Sequence, residues 1–158
     1  MAKRKHTPGS PRLWYFSKLN LYEFTVKIPM YKLEVVVLVG PYKSLKERVA
    51  ARHNNPKLKE GLADHGSYSG LSFFISDGAD NPVQQYLWME EWTFSIQDIA
   101  TLSHEAVHVA LRLLGHVGIA VGEPDNSEPL AYLQDHLLET SLRVLLENGV
   151  NTDKRRRK

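Results

Sequence analysis

Four segments before residue 90 have the apolar patterns of β-strands. Residues 22–28 alternate apolar and polar positions, and residues 33–39 form a run rich in valine. Pro29-Met30-Tyr31-Lys32 separates these two segments, so they are predicted to form a hairpin. Residues 71–76 and 84–89 are predicted to be two further strands, because Asp, Gly, Asn and Pro, which favour turns, stand between them.

Helix signals follow the first strand pair and occupy the last third of the chain. Ser44-Leu45-Lys46-Glu47 has the pattern of a capping box and predicts a short helix that reaches about His53. Ser95-Ile96-Gln97-Asp98 predicts the N-terminus of a longer helix, which we expect to stop at Gly115. Glu128-Pro129 predicts the start of a last helix, because proline is common in a first helical turn.

The spacing within the two long helices predicts which side chains face the core. In the first of them, a core-facing stripe is predicted for Ile96, Ile99, Ser103, Val107, Ala110, Leu111 and Leu114. In the second, the apolar face is predicted to hold Leu130, Leu133, Leu137, Val144 and Leu145. A separate face gathers polar groups that suit a functional site, namely Glu128, Tyr132, Asp135, His136 and Glu139.

The order of these elements predicts a single α+β domain over residues 13–150. We expect a small mixed or antiparallel sheet that packs on the helix after Ser95, followed by a C-terminal helix. The strand at residues 84–89 is predicted to lie at the sheet edge, where an extended peptide could add to it. A chain of 158 residues with 42% hydrophobic and 24% charged residues suits one compact core.

Charge is distributed unevenly along the chain. Residues 1–12 and 151–158 are predicted to be disordered basic tails, which hold nine of the 20 basic residues and leave residues 13–153 with 11 basic against 18 acidic, a net charge of −7. The tails could contact nucleic acid nonspecifically or serve only as solvated ends. No signal peptide, membrane-spanning run or cysteine is present, so a cytoplasmic protein without a membrane partner is expected. The oligomeric state stays open.

The pentapeptide His104-Glu105-Ala106-Val107-His108 carries the strongest chemical signal. On a helix, two histidines four residues apart point the same way and can share one zinc ion. Glu105 is then free to act as general base on water. Glu128, at the start of the next helix, is a third candidate ligand. The alternative is an exposed helix face that binds no metal.

These residues resemble the gluzincin-type HExxH zinc metallopeptidases. The resemblance covers about residues 93–147 and rests on the segments 103–108 and Glu128-Pro129-Leu130-Ala131-Tyr132. More loosely, the chain is similar to small HExxH proteins encoded by bacteriophages. The resemblance implies a zincin-like fold, Zn²⁺ held by His104, His108 and Glu128, and Glu105 as catalytic base acting on a peptide or protein substrate.

Some assignments stay open beside this resemblance. Many gluzincins have an acidic residue four positions after the ligand glutamate, where this chain has Tyr132, which is instead a candidate donor to the oxyanion. Asp135 is a candidate to orient His104 or His108. Alternative third ligands are Glu123, Asp125 and His116. A different class of function is a catalytically inactive zinc-binding protein that acts by binding a partner protein or nucleic acid.

Overall fold

A computed structural model describes residues 11–62, 69–76, 83–121 and 127–153 of the chain. It contains five strands, four α-helices and one short 3-10 helix at Pro29–Tyr31 in these residues. The strands are β1 (Trp14–Phe16), β2 (Leu21–Ile28), β3 (Leu33–Val39), β4 (Gly70–Ile75) and β5 (Gln84–Met89). The helices are α1 (Tyr42–Arg52), α2 (Leu58–Gly61), α3 (Ile96–His116) and α4 (Ser127–Glu147).

The strands form one five-stranded sheet in the order β1-β2-β3-β5-β4. β3 and β5 run parallel, whereas the other neighbouring pairs are antiparallel. The chain is therefore α+β with a mixed sheet, as the sequence predicts. The predicted hairpin is confirmed as β2 and β3, and the predicted pair of later strands is confirmed as β4 and β5.

The prediction that residues 84–89 form an edge strand is wrong. These residues are β5, which pairs with β3 on one side and with β4 on the other. Both of its edges are therefore used, and all of its residues except Gln84 are buried. In the described part of the chain β4 ends the sheet on this side, so an extended ligand could pair only with β4.

Alternate side chains of the sheet enter two apolar cores. Val35, Val37 and Val39 of β3 join the cluster that contains α3 and α4, whereas Val36 and Leu38 join the cluster that contains α1. Because both faces of β3 are covered, the strand has a continuous apolar run instead of an alternating pattern. The sheet thus lies between α1 on one face and the pair α3 and α4 on the other.

The helix predicted from Ser44 begins earlier and without the predicted capping box. α1 starts at Tyr42, Pro41 is its N-cap, and no side chain caps the helix. Ser44 is buried inside the helix, and its hydroxyl donates a hydrogen bond to the carbonyl of Leu19. A contact with another part of the chain has therefore replaced the local cap.

The predicted N-terminus of α3 is confirmed. The backbone N–H of Asp98 donates to the Ser95 hydroxyl at 3.1 Å, and the Asp98 carboxylate accepts the N–H of Ser95 at 3.1 Å. Thr93 also donates its backbone N–H to Asp98 at 2.7 Å. Burial raises the pKa of Asp98, but the hydrogen bonds from Thr93 and Ser95 together lower it by more, so the pKa lies below its ordinary value. The helix ends at His116, one residue after the predicted stop at Gly115.

The predicted core-facing stripe of α3 is wrong by one residue, or about 100° around the helix. Of the seven predicted positions only Ala110 and Leu114 are buried, and Ile96 is 87% exposed. The buried face instead contains Leu102, Glu105, Ala106, Val109, Ala110, Leu113 and Leu114. Both the sheet and α4 pack on this helix, so the buried face is not set by apolar spacing alone. The rotation brings Glu105 inside.

The predicted apolar face of α4 is confirmed, and the fold extends beyond the predicted domain end at residue 150. Leu133, Leu137, Val144 and Leu145 are buried. After α4, buried Thr152 donates its backbone N–H to the Trp92 carbonyl at 2.8 Å. Since Trp92 precedes α3, the end of α4 lies beside the start of α3, and the two helices run antiparallel. In the described ranges, no helix has the length and hydrophobicity needed to cross a membrane.

Candidate metal centre

Helix α3 brings the two histidines of the HExxH segment together on its exposed side. The Nε2 atoms of His104 and His108 are 3.1 Å apart, and their ring planes meet at 78°. Two nitrogens that bind one zinc tetrahedrally, each at about 2.05 Å, lie about 3.3 Å apart. The observed separation therefore fits two ligands of a single ion, and both imidazoles are reached from solvent.

Glu105 lies between the two histidines in sequence but points toward the sheet. Its side chain is 9% exposed and sits against Gly70, the first residue of β4. A Cβ atom at Gly70 would lie 3.1 Å from Glu105 Cγ and 2.6 Å from Thr101 Cγ2. Glycine is therefore the residue that lets β4 approach α3 so closely. This contact fixes Glu105 at the strand edge.

Two adjoining depressions run along the contact between β4 and α3, and we call them together the β4 groove. The first has a volume of about 360 Å³ and the second about 250 Å³. Both are lined by Gly70, His104 and Glu105, and His108 lines the second. The groove thus exposes the two imidazoles and the carboxylate to one ligand that lies beside an edge strand.

Arg112 is a residue of this groove that the sequence analysis missed. It follows His108 by one helical turn and lines the groove beside Ser72. Its Nη1 atom is buried and has no hydrogen-bond partner among the described residues. An unpartnered buried donor of a charged group destabilises a fold, so this atom is a candidate for a functional role. The spacing 104, 108, 112 on one helix was the available sequence signal.

The structure does not bring Glu128 to the two histidines. In the described residues, no three side chains of His, Cys, Asp or Glu are grouped closely enough to hold a metal ion. Gln134 of α4 donates to the Ser103 hydroxyl at 3.2 Å, which fixes how α4 faces α3. Glu128 lies about 120° around the helix axis from Gln134 and is exposed. Along the antiparallel helix pair it lies six residues before Gln134, toward the end of α3 that carries His108.

The other polar residues predicted on α4 lie away from the β4 groove. Tyr132 is 49% exposed and stacks on His136, with the ring centroids 6.2 Å apart. The Nε2 atom of His136 meets the backbone carbonyl of Lys27, in β2, at 2.8 Å. Tyr132 is not among the residues that line the groove, so its placement adds no support to a role as oxyanion donor. Asp135 is exposed, and no described hydrogen bond joins it to His104 or His108.

The alternative third ligands have different outcomes. His116 lies on α3 eight residues after His108, which is about 12 Å along the helix. That distance is too large for the two side chains to share a metal ion through adjacent coordination positions. Glu123 and Asp125 fall outside the described residues, as do most of the basic tails, residues 1–10 and 154–158.

Comparisons with known proteins add no assignment to this site. The chain matches no family model, and searches among curated proteins and among solved structures give no match either. The case for function therefore rests on the residues of the β4 groove themselves.

Proposed function

We propose that this protein is a zinc-dependent metallopeptidase whose active site is the β4 groove. The observation that carries the proposal is the pair of Nε2 atoms 3.1 Å apart, next to a carboxylate in the same groove. His104 and His108 would hold the ion, and Glu128 of α4, which lies away from the pair in this structure, would have to turn toward them to be the third ligand. Zinc held there would act as a Lewis acid and lower the pKa of the attacking water far below its ordinary value.

Glu105 is the proposed general base. Its carboxylate takes a proton from the attacking water and then delivers that proton to the nitrogen of the leaving amine. Burial against Gly70 limits the positions that the side chain can adopt. A base held in one orientation loses less entropy when the reaction geometry forms. The close packing of β4 on α3 is therefore part of the proposed catalytic arrangement.

The free edge of β4 is the proposed binding surface for the peptide. Its backbone groups on the side away from β5 have no strand partner among the described residues. An extended peptide could add to this edge through main-chain hydrogen bonds and pass in front of His104. Arg112, which lines the groove farther along, would place its positive charge beside a substrate carbonyl or carboxylate oxygen. This edge would bind peptides with little dependence on sequence.

Hydrolysis of an unstructured peptide mixture by the zinc-loaded protein tests the proposal. We expect Glu105→Gln to keep zinc and the fold but to lose turnover, because an amide cannot accept the proton. Glu60→Gln is the matched control, since Glu60 is an exposed glutamate on α2. Equal activity in the wild type and in Glu105→Gln would refute the assignment of the base.

A second candidate function is zinc-dependent binding of a partner without catalysis. The exposed position of Glu128, away from the two histidines, favours it, because a catalytic zinc site normally has three protein ligands. This candidate predicts zinc in the wild-type protein but no hydrolysis of any peptide in the mixture. Turnover that depends on Glu105 would exclude it.

A further inference from the structure

A separate depression lies at the opposite edge of the sheet from the β4 groove, and we call it the edge cavity. Its volume is about 700 Å³, larger than either part of the β4 groove and within the range of small-molecule sites. One wall is β2, whose pairing with β1 ends at Glu23 in the described residues. The last turn of α1 and the C-terminal half of α4 supply other walls, through Arg52 and Arg143 respectively.

The lining of the edge cavity carries an excess of positive charge. Four cationic side chains line it, from Arg12, Lys27, Arg52 and Arg143, whereas the two lining carboxylates belong to Glu23 and Glu139. The formal charge of these six residues is +2, and it is +1 for the five of them within residues 13–153, which carry −7 in total. A cationic concavity on an acidic domain attracts anions because the surrounding protein walls concentrate the field.

The two carboxylates hold part of this charge in place without cancelling it. Glu23 accepts Arg52 Nη1 at 2.8 Å, but it also accepts Arg48 Nε at 2.6 Å, and Arg48 does not line the cavity. One buried carboxylate is thus shared by two guanidinium groups. The Arg143–Glu139 pair, at 2.6 Å, is exposed, and such pairs contribute little stability, so little is lost when Arg143 binds another anion.

Two further cations form no salt bridge in the described residues. Lys27 is exposed on the part of β2 that β1 does not cover, opposite Glu34 of β3, and the Arg12 guanidinium lies 3.8 Å from the ring centroid of Trp14. Stacking on an aromatic ring orients an arginine while leaving its in-plane N–H groups free to donate. The cavity therefore combines cationic donors from four separate parts of the chain.

We propose that the edge cavity binds a small organic phosphate monoester. At neutral pH the phosphate group carries a charge of about −1.5 to −2 and three acceptor oxygens, which match the excess charge and the arginine donors of the cavity. The remaining volume and the Trp14 ring would accommodate the organic part. This site is independent of the proposed zinc site, which lies on the β4 side of the sheet.

Isothermal titration with phenyl phosphate, at constant ionic strength, tests this proposal. We expect saturable one-to-one binding to the full-length protein. Lys27→Glu should weaken binding by about tenfold or more. The variant loses one charge-assisted hydrogen bond, and it also removes the excess positive charge of the cavity. Lys43→Glu is the matched control: Lys43 is exposed on α1, nine residues before Arg52, or about 13 Å along the helix.

The control separates local binding from the net charge of the whole protein. Lys43→Glu should change the affinity by no more than about twofold, because it lies more than about one Debye length from the cavity at 0.1 M salt. His108→Ala should bind phenyl phosphate as the wild type does, which would exclude binding to a metal at the β4 groove. Circular dichroism would check that each variant folds.

Three results with phenyl phosphate would overturn the proposal. They are no saturable binding to the wild type at millimolar phenyl phosphate, equal weakening by the two lysine variants, and loss of binding in His108→Ala. A single-stranded oligonucleotide without terminal phosphate that competes as strongly as phenyl phosphate would also overturn it, because phosphodiesters carry one charge each.

Discussion

Replacing Gly70 with alanine tests the contact between β4 and α3 that positions Glu105. The added Cβ would lie 2.6 Å from Thr101 Cγ2 and 3.1 Å from Glu105 Cγ. Ordinary contacts between carbon atoms are about 3.5–4.0 Å long, so the strand and the helix must separate by up to about 1 Å. The threonine methyl cannot move aside easily, because a β-branched side chain has few rotamers in a helix.

The expected cost follows from these distances. Overpacking of this kind costs about 1–3 kcal/mol, and the lower entropy of the unfolded chain with alanine returns about 0.4–1 kcal/mol. We expect Gly70→Ala to lower the free energy of unfolding by about 1–2 kcal/mol. Turnover by Gly70→Ala should fall by more than the loss of folded protein alone explains, because the displaced side chain is the proposed base.

Urea unfolding of two reference variants gives the comparison. Gly115→Ala, on the same helix α3, meets no atom within 4 Å and should raise the free energy of unfolding by about 0.5–1 kcal/mol. Thr101→Ser removes the methyl group that the new Cβ would meet. In that background Gly70→Ala should cost less than it does in the wild type. Equal stability of Gly70→Ala and wild type, or no relief from Thr101→Ser, would refute the close contact.

Three other perturbations test further parts of the structure. Asp98→Asn should cost about 1 kcal/mol in urea unfolding, because it weakens the N-cap of α3 and the hydrogen bonds from Thr93. Because the pKa of Asp98 is lowered in the folded protein, its contribution to the free energy of unfolding is fully present above the ordinary value of 3.8 and is lost as the pH falls through the lower folded value. An Asp98→Asn variant whose stability falls with acid as steeply as that of the wild type would contradict this. Thr152→Val should cost about 1–3 kcal/mol in thermal unfolding, because it removes the hydroxyl that accepts the buried backbone N–H of Trp92 at 2.6 Å; an unchanged Tm would show that this hydrogen bond contributes nothing. Arg112→Gln should raise KM for peptides about tenfold with kcat nearly unchanged, and a loss confined to kcat would mean that Arg112 acts only in the transition state.

Local sequence signals predict the elements of this fold well. The hairpin of β2 and β3 follows from two apolar runs with a short break, and the start of α3 follows from the Ser95 and Asp98 pair. These features depend on residues close together in sequence. Ser44 shows the limit of such signals, because its hydroxyl bonds to Leu19, which is 25 residues away.

Predictions that depend on tertiary packing fared less well. The predicted core-facing stripe of α3 is wrong by one residue. Both the sheet and α4 cover this helix, and the apolar spacing cannot show how much of the buried face each of them contacts. The apolar pattern also cannot predict the strand order, because it predicts that residues 84–89 form a strand but not which strands lie beside it. The pairing of His104 with His108 was predictable, since the spacing of four residues is itself a helical contact.

The edge cavity illustrates what a linear pattern cannot reveal. Its cationic side chains come from the segment before β1, from β2, from α1 and from α4, and no two of them are adjacent in sequence. The net charge of the chain does not indicate such a cluster, because residues 13–153 are acidic as a whole. Only the fold places these cations on one concave surface.

Zinc content of the protein purified without a histidine tag tests the central claim most directly. The wild type and His116→Ala, a control on the same helix, should each retain about one zinc ion per chain after dialysis, whereas His108→Ala should retain none. A folded wild type without zinc, or equal zinc in His108→Ala and His116→Ala, would contradict the metal centre at His104 and His108.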